Sequence, residues 1–229
     1  MYREFLNARS PLRVLEKGLH GGLGKGNLGL VLAGHGVGKT AFLVCVALDD
    51  LLRGEPVLHV SLDQTVAHTR AHYDTAFDEL AAQARLEDEA VIRANVDRLR
   101  SIRAYSPAGF GPGKLREAVK FEQEIGNGPG LVILEGFDVA TVSRDELQDL
   151  KSLAEEIEAE MWISAHCSGE RVDGVPDGLR GFEELFGVIL GLEPDREHVA
   201  LRALKDHDNP DAEALRVSLD PKTLLLVRS

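Results

Sequence analysis

Short apolar runs alternate with stretches of helical periodicity along this chain, the sequence form of repeated βαβ units around a mostly parallel sheet. Residues 28–33 (Leu-Gly-Leu-Val-Leu-Ala) predict a buried strand, and Ala41, Val44, Cys45, Leu48, Leu51 and Leu52 then recur on one helical face. Gly54 ends that helix, and residues 56–62 (Pro-Val-Leu-His-Val-Ser-Leu) predict a second strand. A polar helical region covers 65–99 with a break near 84–86, followed by a weaker strand over 101–105 and a Gly/Pro loop over 107–113. A helix over 114–125 is stopped by Gly126-Asn127-Gly128-Pro129-Gly130, and 131–134 is a short, strongly apolar strand. Ser143-Arg144-Asp145-Glu146 is a capping box opening a helix with Leu147, Leu150, Ala154 and Ile157 on one face; 161–165 is the next strand. From Gly187 the pattern changes to three or four short strands, with a last turn at Asp220-Pro221-Lys222-Thr223. The whole predicts one α/β domain over 1–229: a mostly parallel sheet flanked by helices, with a C-terminal antiparallel extension.

Between the first strand and the first long helix lies Ala33-Gly34-His35-Gly36-Val37-Gly38-Lys39-Thr40. It fits the pattern Ala/Gly, four residues, Gly-Lys-Ser/Thr, which average composition produces by chance in roughly one chain in sixty of this length. Its position between strand and helix is what phosphate binding requires. Several backbone N–H groups must converge on the anion, so the chain curls tightly and glycines at 34, 36 and 38 clear the path. The following helix points its positive end at the phosphates. Residues Gly34, His35, Gly36, Val37, Gly38, Lys39, Thr40 and Ala41 form the expected cradle. Lys39 carries charge to the β and γ phosphates, and the Thr40 hydroxyl is a candidate magnesium ligand.

Charge narrows the partners. Lys and Arg number 26 against 38 Asp and Glu, a net −12, and aromatics are only 5% of the chain. That repels nucleic-acid backbones and leaves few platforms for stacked bases, so DNA binding is disfavoured. Two cysteines, Cys45 and Cys167, make neither a disulfide framework nor a zinc cluster. Residues 1–7 lack an apolar core of signal-peptide length, and no stretch reaches the roughly 18 apolar residues of a membrane span. A cytoplasmic protein with no membrane contact is expected.

Around the phosphate loop the chain resembles the RecA-like P-loop ATPases, within them the DnaB helicase and KaiC branch. Gly21-Gly22-Leu23-Gly24-Lys25-Gly26-Asn27-Leu28 is similar to the glycine run preceding the loop in that branch. Val60-Ser61-Leu62-Asp63 resembles its second-strand motif and puts Asp63 at the catalytic glutamate. Residues 131–135 resemble a Walker B strand with Glu135 as the magnesium acid. Leu179-Arg180-Gly181-Phe182-Glu183 resembles a helicase segment, and Lys205-Asp206-His207-Asp208-Asn209-Pro210 the finger that reaches a neighbouring subunit's nucleotide. The resemblance implies Mg·ATP as ligand and a homo-oligomer, for example a hexameric ring. Lys39, Asp63, His166, Lys205 and His207 then serve catalysis, with Thr40 and Glu135 on the metal.

Departures from that pattern bear on turnover. Glu135 replaces the usual Asp and is one methylene longer. Asp63 replaces the water-polarising Glu, and a misplacement of about 1 Å can cost roughly a hundredfold. His207 stands where the finger arginine would be, without its guanidinium fork; Asp206 and Asp208 would favour its protonated form if close. Asp138 is a candidate substitute acid. His166 ends its strand either as a γ-phosphate sensor or as a packed histidine. His68 and His72 have the i, i+4 spacing of two metal ligands, without an evident third. Cys45 reads as core, Cys167 as a candidate thiol. Arg171 and Arg180 flank the loop 172–178, where Glu170, Asp173 and Asp177 oppose a DNA role. The acidic helix over 144–160 is either a solvated face or a dock for a basic protein partner. Slow ATP hydrolysis coupled to assembly or switching is the leading reading. A non-hydrolysing ATP-dependent scaffold and a DNA-translocating motor are the alternatives.

Overall fold

The computed structural model describes residues 10–138, 141–167, 172, 174–209 and 214–229. After helix α1 (Pro11–Gly18) the chain runs β1 (Leu28–Ala33), α2 (Lys39–Arg53), β2 (Val57–Ser61), α3 (Val66–Ala84) and α4 (Glu89–Leu99). It continues through β3 (Arg100–Ala104), α5 (Pro112–Glu124), β4 (Leu131–Glu135), α6 (Arg144–Glu156) and β5 (Glu160–His166). Four strands close it: β6 (Phe186–Asp195), β7 (His198–Asp206), β8 (Ala214–Leu219) and β9 (Leu226–Arg228). Among the described residues the strands form one sheet in the order β3-β2-β4-β5-β1-β6-β7-β8-β9. Pairings from β3 to β6 are parallel and the remaining three are antiparallel.

Helices cover both faces, which is why β1, β2 and β4 are buried along their whole length and read as apolar runs. Leu28, Leu30, Leu32, Val60 and Leu134 pack towards α5 and α6. Val31, Val57, Ile133 and Trp162 pack towards α2, α3 and α4. Each such side chain contributes about 1.5–3 kcal/mol by leaving water. The antiparallel strands curl back over α2. Leu219 comes up to the start of that helix, and the Cys45 thiol donates to the Leu224 carbonyl at 3.3 Å.

The predicted break in the region 65–99 is real: Arg85 takes φ 51° and caps α3. The capping box at Ser143 and Glu146 forms as read. Three elements differ from expectation. Helix α1 was not anticipated; the Ser10 side chain accepts from Leu12 N–H at 3.2 Å and Pro11 occupies the first turn. Two of the closing strands are long, and β6 pairs parallel with β1, so the antiparallel extension begins at β7. The near-continuous burial of 186–192 is what a central strand shows. The acidic helix ends at Glu156; Glu160 belongs to β5, where it accepts from Gly24 N–H at 3.1 Å, and burial raises its pKa. The exposed acids there are Asp145, Asp149, Glu155, Glu156 and Glu158. No described helix is long and apolar enough to cross a membrane.

Candidate functional site

Parallel strands with helices on both faces leave a crevice at their carboxyl ends, the usual place for ligands in an open α/β sheet. Here the carboxyl ends of β1, β2, β4 and β5 carry the loop 33–40, Asp63, Glu135 and His166 respectively. The sheet order brings these four together although they are spread over more than a hundred residues.

The loop turns into α2 at Gly38, whose φ of 122° and ψ of 21° suit glycine. Space demands glycine too: a Cβ there would lie 2.4 Å from Leu219 Cδ2. No side chain caps the start of α2, so its first N–H groups face the loop. Lys39 Nζ donates to the Ala33 and Gly34 carbonyls, each at 2.9 Å. Burial lowers its pKa, against the opposing pull of Cys167, Glu135 and Asp63.

Thr40 Oγ1 donates to Glu135 Oε1, joining the first turn of α2 to the end of β4 across the intervening β5. The second oxygen, Glu135 Oε2, lies 3.2 Å from His59 Nε2, and His59 Nδ1 lies 3.1 Å from the Tyr73 hydroxyl. Glu135 is only 3% exposed. Burial pushes its pKa up, but the hydrogen bond and electrostatic pull of the His59 ring and the hydrogen bond from Thr40 outweigh that, and the net shift is downward. Asp63 sits beside it: β2 and β4 pair Ser61 with Glu135, and Leu62 N–H donates to the Glu135 carbonyl at 2.9 Å. A Cβ on Gly136 would lie 2.8 Å from Asp63 Cγ, so glycine makes room for the acid. The Ser61 hydroxyl donates to Asp63 Oδ1 at 3.1 Å.

His166 pairs in register with Ala33, and its ring lies 3.7 Å from that of His35 in the loop. Desolvation, then the electrostatic influence of His35 and Lys39, lower its pKa. Its neighbour Cys167 donates its backbone N–H to Ala33 at 3.2 Å, and burial raises its thiol pKa.

Lys205 and His207 are elsewhere. The β6–β7 pairing sets Asp206 opposite Val188, which itself pairs with Gly29, so both lie towards the amino end of β1. Lys205 Nζ donates to the carbonyls of Glu183 (2.7 Å) and Phe186 (2.5 Å), and burial lowers its pKa. His207 takes φ 49°, and its Nε2 lies 3.0 Å from the Gly22 carbonyl. Asp206 Oδ2 lies instead 2.6 Å from His20 Nδ1. The run from Gly21 to Leu28 is at this same end, remote from the loop.

The lesser candidates resolve simply. Cys45 is buried, which pushes its thiol up to about 12. His68 and His72 meet through their Nε2 atoms at 3.3 Å, and among the described residues no group of three His, Cys, Asp or Glu is set to hold a metal. Asp138 accepts from the Thr141 hydroxyl at 2.9 Å. Arg180 is exposed, while Glu170, Arg171, Asp173, Pro210 and the Asp177 side chain lie outside the described residues. A cavity of about 460 Å³ lies between α1, α2, α3 and β9, lined by Leu12, Leu48, Leu52, Leu80 and Leu226. Ser10, Asp49, Gln83 and Arg228 join its mostly apolar lining. Sequence reasoning passed over His59 and Tyr73, the partners behind Glu135; only the unexpected histidine inside an apolar strand marks them. No protein-family model matches this chain, and no curated protein matches it by sequence. Fold and site define an α/β protein with a mostly parallel mixed sheet and a group of polar residues at the carboxyl ends of its strands.

Proposed function

We propose that the chain is a RecA-like P-loop ATPase that binds Mg·ATP at the carboxyl ends of β1, β2, β4 and β5 and hydrolyses it slowly, coupled to self-assembly or a conformational switch. The contact of Thr40 with Glu135, beside the uncapped start of α2, carries this reading. It brings a hydroxyl and an ionised carboxylate to one point next to a glycine loop bearing a lysine. That hard-oxygen pair suits magnesium, which keeps several waters and takes its remaining ligands from phosphates. Thr40 and Glu135 would hold the cation, which when bound neutralises charge on the β and γ phosphates. The N–H groups of the loop and Lys39 would hold the phosphates. Asp63, next to Glu135, would orient the attacking water, and His166 would read the γ-phosphate.

Slow turnover follows from Asp63, whose arm is short, and from Lys205 and His207, which are held on their own chain's carbonyls. Those same tethers favour a second reading, an ATP-binding scaffold without hydrolysis. Single-turnover measurement separates the two, since cleavage within hours excludes the scaffold. The binding site itself is tested by calorimetry on Lys39→Ala. Losing charge-assisted bonds worth about 1.5–3 kcal/mol weakens ATP by roughly ten- to a hundredfold. An unchanged affinity in a folded variant removes the nucleotide from this loop.

A further inference from the structure

His59 lies in the middle of β2 with none of its surface exposed. Its strand neighbours Val57, Leu58 and Val60 are aliphatic, and an aliphatic residue is the ordinary occupant of such a position. A buried imidazole must recover its lost hydration through hydrogen bonds, and both ring nitrogens do so. In the β2–β4 register His59 faces Ile133, so Glu135 is its diagonal neighbour two residues along on the same face. Long side chains span that diagonal. An aspartate at 135 would be one methylene shorter on this reach.

The direction of each bond follows from its partner. The ionised Glu135 carboxylate can only accept, so His59 Nε2 carries a proton and donates. Burial raises the Tyr73 pKa, which keeps its hydroxyl protonated as a donor to His59 Nδ1. The chain is then Tyr73 O–H to His59, His59 N–H to Glu135 Oε2, and Thr40 O–H to Glu135 Oε1. A glutamate has one more rotatable bond than an aspartate, and here both its oxygens are fixed from opposite sides.

We propose that His59 is a positioning residue that holds the longer Glu135 side chain with one oxygen on Thr40, so that glutamate serves where the resemblance leads one to expect aspartate. The proposal rests on the Mg·ATP reading of this site. Its effect is on the cation: partners behind a metal ligand typically govern about ten- to a hundredfold in affinity.

The test is Mn²⁺ binding in the presence of ATP, followed by electron paramagnetic resonance, with ATP affinity in EDTA and urea unfolding measured beside it. His59→Leu, close in volume and without a donor, weakens Mn²⁺ by about ten- to a hundredfold while ATP affinity in EDTA stays the same. His59→Gln keeps an N–H near the Nε2 position and stays within roughly threefold of the parent, less than 1 kcal/mol. If the leucine variant does not fold, Tyr73→Phe replaces it, and freeing the ring weakens Mn²⁺ several-fold. A folded His59→Leu with parental Mn²⁺ affinity overturns the proposal, as does an equal loss in His59→Gln or a Tyr73→Phe without effect where that variant decides. A parent protein that binds neither ATP nor Mn²⁺·ATP overturns the functional reading as well. A parent that binds normally beside indifferent variants overturns this inference alone.

Discussion

Replacing Gly38 by alanine asks whether the C-terminal strands hold the loop 33–40 in shape. Two costs add. The backbone there, at φ 122° and ψ 21°, is strained for any residue with a side chain, by about 1–3 kcal/mol. The new methyl would also start 2.4 Å from Leu219 Cδ2. Leu219 is 1% exposed and has no solvent to swing into, so the core must repack at about 1–3 kcal/mol more. A loss near 4 kcal/mol follows, about 10 °C in midpoint for a chain of this size. Gly36 is the control, since at φ 69° with no atom within 4 Å an added methyl costs only the left-handed strain of about 1–2 kcal/mol. Urea unfolding of both variants, alone and with Leu219→Ala, measures the coupling. The Leu219→Ala background removes the clash, so Gly38→Ala should there cost about 1–3 kcal/mol. Equal losses for Gly38→Ala and Gly36→Ala, or a Gly38→Ala cost that ignores Leu219, would refute this account of the loop.

Two further outcomes follow. If Asp63 orients the attacking water as proposed, Asp63→Asn lowers single-turnover hydrolysis at least about tenfold with ATP affinity nearly unchanged, because such a contact matters in the transition state; a collapse in affinity with the cleavage rate intact would make Asp63 a binding residue. Burial raises Asp50 from 3.8 to about 6 despite Arg53, so the folded state holds a proton that the unfolded state releases between those values. Stability from this group therefore falls as pH rises from about 4 to about 6, by on the order of 3 kcal/mol. Asp50→Asn removes the penalty, and its advantage over the parent in urea unfolding is larger at pH 8 than at pH 5; a pH-independent difference contradicts the burial argument.

The parts of the site that local sequence carries were legible. The loop 33–40 needs only a strand before it and a helix after it, and the apolar run 131–134 followed by Glu135 announces an acid at a strand end. Asp63 is likewise two residues past a buried strand. His59 was not legible, because its partners are a diagonal neighbour on β4 and a tyrosine on the next helix, and strand order is a tertiary fact. The pairing of Asp206 with His20, 186 residues apart, is hidden for the same reason. The left-handed turn at His207 sends its ring to the Gly22 carbonyl, another contact that nearness in sequence does not suggest. The parallel placement of β6 beside β1 also comes from packing, since 186–192 is apolar enough to lie at the centre of a sheet.

The loop 33–40 lies at one end of β1, and the Lys205–His207 segment lies towards the other, with Lys205 level with Leu30 and Asp206 with Gly29, about 10–13 Å back along the strand from Ala33. This polarity constrains the symmetry of any assembly in which they meet. A two-fold dimer could bring them together only reciprocally, each copy's tether at the other's loop across one shared patch. Contact through two different surfaces gives instead a head-to-tail interface, with the same operator repeated from copy to copy. Such a series closes into a ring or winds into a filament, and whether its terminal sites stay incomplete depends on which of the two forms.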